Sequence, residues 1–345
     1  MTKDTKETIP LFHTNKPTYW NKPLLTGIFL FFFVLQTIRE FLRDESCGSP
    51  WSNVYLRVYT NNIRYDNRNN QDPFEELWNV RKTELINSID FNTATGNANV
   101  VCLQEVLHDQ LHDILYGLNE NVEKGGEWTY YGVGRSDGLT EGEYAPILYR
   151  QRGWKMLENK TFWLSETPDH PSIGWDAALE RIVTMVTLQS RASSSIRINF
   201  FNTHFDHKGV VARKKSAQLI ADKMKNYNSY PSFLCGDFNT EPADEPYQIL
   251  TDAGYKDARV TIPKKYSYGF TSTFSGFNRN EEVNTIIDYI WSPSFTKGIG
   301  GLSDSGEKSG KYLVELQHFG ILENFYKGFH FLDHRPVIAN YKVKT

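Results

Sequence analysis

Asp237 and Asn239, two residues apart behind the apolar run Ser232-Phe233-Leu234-Cys235 and a glycine, are the side chains of this sequence best suited to chemistry. On a strand, residues i and i+2 point the same way, so the acid and the amide share one pocket while Phe238 packs behind. Such a pair can hold a phosphate, a hydrated metal ion or both. The same residue types also make an Asx turn, and the stretch alone leaves both readings open. Comparable groups stand where other apolar runs end: Asn62, Glu105, His204, and Asp333 with His334. A further run, Ile286-Ile287-Asp288-Tyr289-Ile290, carries an acid in its interior, which is costly to bury unless paired. Six strands that each deliver polar groups are hard to explain as solvent-facing turns.

The elements that must position these groups follow from hydrophobic period. Residues 54–59 alternate as a strand, and residues 99–103 form a short buried strand closed by Gln104-Glu105. Residues 74–89 place Leu77, Val80, Leu85, Ile86 and Ile89 at helical spacing, with Asp72-Pro73 as the start, and 107–118 is a second helix. Strands are expected over 128–133, 145–149 and 154–163. Residues 181–188 and 196–202 form a hairpin across a polar loop. A helix over 211–226 precedes the Asp237 strand; a short helix near 246–253, a polar loop over 269–284 and a strand over 285–291 follow it. With no internal repeat and no linker after residue 52, this order of two similar halves suggests two sheets packed face to face with helices outside.

The chain has 345 residues and a formal net charge of -3, so no global basic field exists to drive non-specific nucleic-acid binding. Nor is there an aromatic–basic stripe of the kind that reads single strands. Nucleic acid stays open as a substrate without support of its own. Of the three cysteines, Cys102 and Cys235 lie in apolar runs and read as small free hydrophobes. No disulfide framework or metal spacing is visible, and Cys47 stands alone. Residues 1–23 read as a disordered tail. Residues 24–38, LLTGIFLFFFVLQTI, are uncharged, and 24–43 reads as a single membrane-spanning anchor, with a cleaved signal peptide as the rival. Lysines before the segment favour a cytoplasmic N-terminus with the catalytic domain, 53–345, lumenal or extracellular, or secreted if the segment is cleaved. A monomer is expected.

Taken in order, T-N-N-I-R-Y-D around Asn62, L-Q-E-V around Glu105, T-H-F-D-H around His204, G-D-F-N-T-E-P, I-I-D-Y-I and L-D-H-R-P-V resemble the motif set of the endonuclease/exonuclease/phosphatase (DNase I-like) superfamily. The resemblance spans residue 53 to the C-terminus. It implies a four-layer α/β sandwich, two packed and mostly antiparallel sheets with helices outside, and metal-dependent hydrolysis of a phosphoester substrate. That substrate is open between a phospholipid or phosphoinositide, another small phosphoester and nucleic acid; a catalytically inactive binding or scaffold protein on the same fold is the alternative. Carried over residue by residue, it implies Glu105 as the main Mg²⁺ ligand (Mn²⁺ the alternative), with Asn62 beside it and Asp333 as a second metal-side acid. Hard oxygen donors suit that ion. Asp237 would orient or deprotonate the attacking water and Asn239 would hold a phosphate oxygen. His334 would contact the phosphate with Asp288 fixing its tautomer, and His204 would protonate the leaving oxygen. Arg181 and Tyr144 are candidates for binding substrate; an ion pair and simple packing are their respective rivals. The chain departs from the family pattern at Asn61, Thr285 and Leu332, where an aromatic, a basic and a small residue are common. These departures touch substrate choice and leave every proposed catalytic group in place.

Overall fold

The computed structural model describes residues 52–96, 98–120, 128–300 and 311–345. The chain runs β1 (Asn53–Asn62), α1 (Trp78–Thr93), β2 (Asn99–Gln104), α2 (His108–Asn119), β3 (Trp128–Tyr131), β4 (Ile147–Arg150) and β5 (Trp154–Trp163). It continues through β6 (Ile182–Ser190), β7 (Arg197–His204), α3 (Val210–Asn226), β8 (Ser232–Asp237) and α4 (Glu245–Asp252). Then come β9 (Lys256–Asp257), α5 (Ala258–Thr261), β10 (Ser267–Gly269), β11 (Asp288–Ser292) and β12 (Lys297–Gly298). The chain closes with β13 (Leu313–Ile321), β14 (Phe325–Tyr326), β15 (Phe329–His330) and β16 (Val337–Lys344).

Two large sheets result. One has the order β10-β13-β16-β1-β2-β4-β3 with β12 beside β13, and the other β5-β6-β7-β8-β11-β9. Each is built on one parallel pair. β1 and β2 run parallel and are joined through α1; β7 and β8 run parallel and are joined through α3. Parallel neighbours need such a crossover, and it sends both carboxyl ends to the same edge. An antiparallel strand flanks each pair, β16 beside β1 and β11 beside β8. The remaining large-sheet pairings are antiparallel apart from β10 and β12 on β13.

Alternation along each strand sets the layers. Val58, Val100, Cys102, Phe200, Phe233, Cys235 and Ile290 meet between the sheets in one core. Val101 and Leu103 turn outward under Leu85 and Ile89 of α1 and Leu111 and Ile114 of α2. Phe201 and Leu234 turn outward under Ala217, Ile220 and Met224 of α3 and Leu250 of α4. The order helix, sheet, sheet, helix is the expected four-layer sandwich.

Walking two residues at a time toward the shared edge, the inward face turns from apolar to polar. β1 gives Val58, Thr60, Asn62; β2 gives Val100, Cys102, Gln104; β7 gives Phe200, Asn202, His204; β8 gives Phe233, Cys235, Asp237. The change begins where Gln104 donates to Asn202 Oδ1 at 2.7 Å and to Thr60 Oγ1 at 3.1 Å. Asn202 in turn donates to the Leu103 and Pro146 carbonyls, which leaves Gln104 Oε1 as the atom of these two amides with no hydrogen-bond partner among the described residues.

Three expectations need correction. Cys102 and Cys235 are not free: a disulfide joins them across the two sheets, one link below Gln104 and Asp237. The first helix begins at Trp78, not Phe74, because Phe74 has φ 70°. Glu75 just behind it takes Arg64 and the Asp72 amide as partners. The expected single-pass membrane placement is also corrected, since among the described residues no helix is long and apolar enough to cross a membrane. Residues 24–43, on which it rested, lie outside the described residues, as do the tail 1–23 and Cys47.

Candidate active site

At the shared edge Asp237 is the hub. Its Oδ1 accepts the Asn239 backbone N–H at 2.9 Å and its Oδ2 accepts Asn62 Nδ2 at 3.0 Å. His204 Nε2 and His334 Nε2 lie 3.5 and 3.7 Å from the same Oδ2. Asn62 Nδ2 also donates to Glu105 Oε1 at 2.9 Å, so one amide links the acids of two sheets. Asn62 Oδ1 accepts the Arg64 backbone N–H, which fixes the amide's orientation.

Backbone conformation aims these groups. Gly236 has φ 146°, and a Cβ there would come within 2.0 Å of the Thr203 carbonyl, so only glycine lets β8 lie this close to β7 before Asp237. Glu105 and Asn239 hold positive φ of 58° and 45°, a strained conformation that concentrates at functional positions. Asp288 opens β11 instead of sitting inside a longer strand, directly opposite Asp237 in the ladder. Its Oδ2 meets His334 Nδ1 at 2.9 Å. The 331–334 segment is held by Arg81, whose buried guanidinium donates to the Ile63 and Phe331 carbonyls. Phe274 packs edge-on against the His334 ring.

Burial and charge set the protonation states. Burial raises the Asp237 carboxyl to about 7, with the Asp288 charge adding to it and His334 opposing. Burial also raises Asp333, to about 6. Desolvation works against a charged His334, but Asp288 and Asp237 outweigh it and bring the imidazole to about 10. Glu105 stays below the usual carboxylate range: burial is overcome by the Asn62 hydrogen bond and the charges of Arg64 and His334. His204 is pushed well below its ordinary value, first by burial and then by Arg181 and Arg135.

Nine of the ten residues singled out from the sequence lie at this edge: Asn62, Glu105, Arg181, His204, Asp237, Asn239, Asp288, Asp333 and His334. Asn239 Nδ2 is turned to His204 Nε2 and the Phe205 carbonyl, both at 3.0 Å. Arg181 pairs with Asp206 at 3.3 Å and His207 at 3.0 Å, and its buried Nη1 has no partner among the described residues. Tyr144 is not brought there. It is buried in the outer core beside α2, and its hydroxyl donates to the Leu139 carbonyl, because successive residues of an extended segment face opposite ways. Its neighbour Glu143 faces the site and escaped the sequence reading, as did Arg135. Arg135 grips Glu143 with two bonds of 2.7 and 3.0 Å, and Glu143 Oε2 lies 3.8 Å from His204 Nδ1. The signal available was the Gly142-Glu143-Tyr144 turn itself, one residue off.

A hard divalent cation fits the residues present. Glu105 and Asp333 supply carboxylate oxygens, and Asp333 Oδ1 is buried without a hydrogen-bond partner among the described residues. Asp237, Asp288 and His334 also bring one ligand atom each within 4.8 Å of one another. There, however, the 2.9 Å hydrogen bond between His334 and Asp288 occupies the space between two of the three. The Glu105 side is therefore the better seat.

The profile of the Endonuclease/Exonuclease/phosphatase family matches residues 76–306. An endonuclease/exonuclease/phosphatase of Bacteroides vulgatus is similar in structure, with a TM-score of 0.68, 31% identity, and coverage of 84% of this chain and 98% of that one. A mannosyl-6-phosphatase of Bacteroides thetaiotaomicron aligns with a TM-score of 0.68 and 29% identity over 83% of this chain and 99% of that one. Among curated sequences, the Ccr4 exoribonuclease subunit of the CCR4-Not complex from Emericella nidulans is 28% identical over 132 residues, 33% of this chain. That alignment spans only 18% of the exoribonuclease.

Proposed function

Because the chain belongs to the endonuclease/exonuclease/phosphatase family, whose members here are hydrolytic nucleases and phosphatases, we propose that it cleaves phosphate monoesters of small polar alcohols such as sugars, with Mg²⁺. The observation that carries the chemistry is the Asp237 carboxylate, tuned to about 7 inside a ring of Asn62, His204 and His334. A base poised near neutrality is the one that can take a proton from water at neutral pH.

Asp237 orients the attacking water and accepts its proton. His334, kept cationic by Asp288, donates from Nε2 to a phosphate oxygen and opposes the charge that builds there. Arg181 supplies a further charged donor for the phosphate through its unmatched Nη1, while Asn239 gives its amide protons to His204 Nε2 and the Phe205 carbonyl and so holds the histidine in place. His204 is neutral in the free protein. The incoming phosphate dianion favours its charged form, so the proton passed to the leaving oxygen becomes available only with substrate bound. Glu105 and Asp333, with Asn62 beside them, would hold Mg²⁺, which when bound neutralises phosphate charge and polarises the ester.

Sugar phosphates are favoured over nucleic acid by the 29% identity to the mannosyl-6-phosphatase, against 15% to a D. rerio TDP2 complexed with single-strand DNA product, each over 83% of this chain. The test is a substrate panel of hexose 6-phosphates, a bis-aryl phosphodiester and single-stranded RNA, each with Mg²⁺ and with EDTA. Phosphate release from the sugar phosphates that EDTA abolishes is expected. Metal-dependent cleavage of RNA alone would overturn the monoester reading, and no metal-dependent hydrolysis at all would overturn the hydrolase.

A further inference from the structure

We propose that His108 and His112, on the solvent side of α2, form a binding site for a borderline divalent metal ion such as Zn²⁺, separate from the acid cluster. The two residues stand one turn apart on the same helix face, and their Nε2 atoms lie 3.2 Å from each other. Two zinc–nitrogen bonds of about 2.0–2.1 Å at a tetrahedral angle hold their nitrogens about 3.3 Å apart, so the pair is already at chelating distance.

His108 is oriented by a chain of hydrogen bonds that ends at the backbone. The Tyr144 hydroxyl has one proton and gives it to the Leu139 carbonyl at 3.0 Å. Its oxygen lies 2.9 Å from His108 Nδ1, and in the tautomer whose Nδ1–H donates to that oxygen His108 presents a bare lone pair on Nε2. Metal-binding imidazoles are oriented in this way, by a partner on the ring nitrogen that does not bind. His112 is exposed and free to move its own proton to Nδ1 when an ion takes Nε2, with no net proton released. Imidazole nitrogens select Zn²⁺, Cu²⁺ or Ni²⁺ over Mg²⁺, which separates this site from the hard oxygen donors around Glu105. The site also gives Tyr144 a place: it is the residue that orients His108.

The test is equilibrium dialysis of the full chain against Zn²⁺ with saturating Mg²⁺ present to fill the acid cluster. The wild-type chain is expected to hold one Zn²⁺ that His112→Ala does not. Tyr144→Phe should weaken that binding by about tenfold or more, the usual cost of losing such an orienting partner. His112→Ala should keep Mg²⁺-dependent hydrolysis unchanged. A His112→Ala isotherm that overlays the wild-type one, or no Zn²⁺ bound by either, overturns the site. Unchanged affinity in Tyr144→Phe overturns the role of Tyr144 as the partner that orients His108.

Discussion

Asp237 and Asp288 are direct partners across the antiparallel β8–β11 ladder, and both turn a carboxylate to one imidazole. His334 Nδ1 lies 2.9 Å from Asp288 Oδ2 and its Nε2 lies 3.7 Å from Asp237 Oδ2. Like charges directly opposite destabilise a sheet. The imidazolium relieves this pair, and the strain that is left appears as protons held too tightly.

A pH dependence of stability follows with a definite sign. Asp237 rises from 3.8 to about 7 and His334 from 6.5 to about 10 on folding. Between about 4 and 10 these two groups bind more protons in the folded chain than in the unfolded one, so their contribution to stability falls as pH rises. In EDTA the thermal midpoint of the wild type minus that of Asp237→Asn should decline between pH 4 and 7. Added Mg²⁺ should flatten the decline, because a nearby cation offsets the carboxylate charge. A flat difference in EDTA would mean Asp237 titrates normally.

In the proposed mechanism activity depends on the same two groups in opposite forms, Asp237 deprotonated and His334 protonated. A profile of kcat/KM in Mg²⁺ should therefore be bell-shaped, with an acid limb set by Asp237 and lying below about 7 because the bound cation favours its ionised form, and an alkaline limb set by His334. Asp237→Asn should cost about 10²–10⁴ in kcat/KM, the usual worth of a positioned base, and should remove the lower limb from whatever activity is left. A lower limb that survives the substitution would assign it to another group.

The cystine has a direct count as its check. The chain contains three cysteines and the disulfide closes 133 residues between Cys102 and Cys235. Denatured without reductant, it should titrate the Cys47 thiol alone; after reduction, all three. Reduction should cost about 2–4 kcal/mol of stability, as for cross-links over long loops. Three thiols in the unreduced protein would show the link does not form.

The strands that carry the site were legible because their inward faces change from apolar to polar residue by residue, as in Phe233, Cys235, Asp237. The spacing of two needs no knowledge of the fold. What could not be read is what depends on partners far along the chain. Cys102 and Cys235 are each ordinary apolar positions until the sheets face one another. β13 was missed because a register shift between Leu316 and His318 breaks its alternation and Glu315, Gln317 and His318 dilute it. Tyr144 and Glu143 belong to one turn, and only the contacts of each side chain show that Glu143 is the one that faces His204.

Arg181 offers the sharpest separation of binding from chemistry. Its Nε and Nη2 are engaged by Asp206 and His207, while Nη1 is buried and unmatched, so an incoming phosphate can supply the missing acceptor. Its charge also contributes, after burial, to holding His204 low. Arg181→Gln removes both effects. One charge-assisted hydrogen bond is worth about 1.5–3 kcal/mol, so KM should rise by about 10–150-fold. In the same variant His204 should titrate at higher pH, read directly from its imidazole proton resonances with the wild type as reference. Arg181→Lys keeps the charge without the planar fork, so it should raise KM while leaving His204 where it was. A KM unchanged in both variants would reduce Arg181 to a structural partner of Asp206.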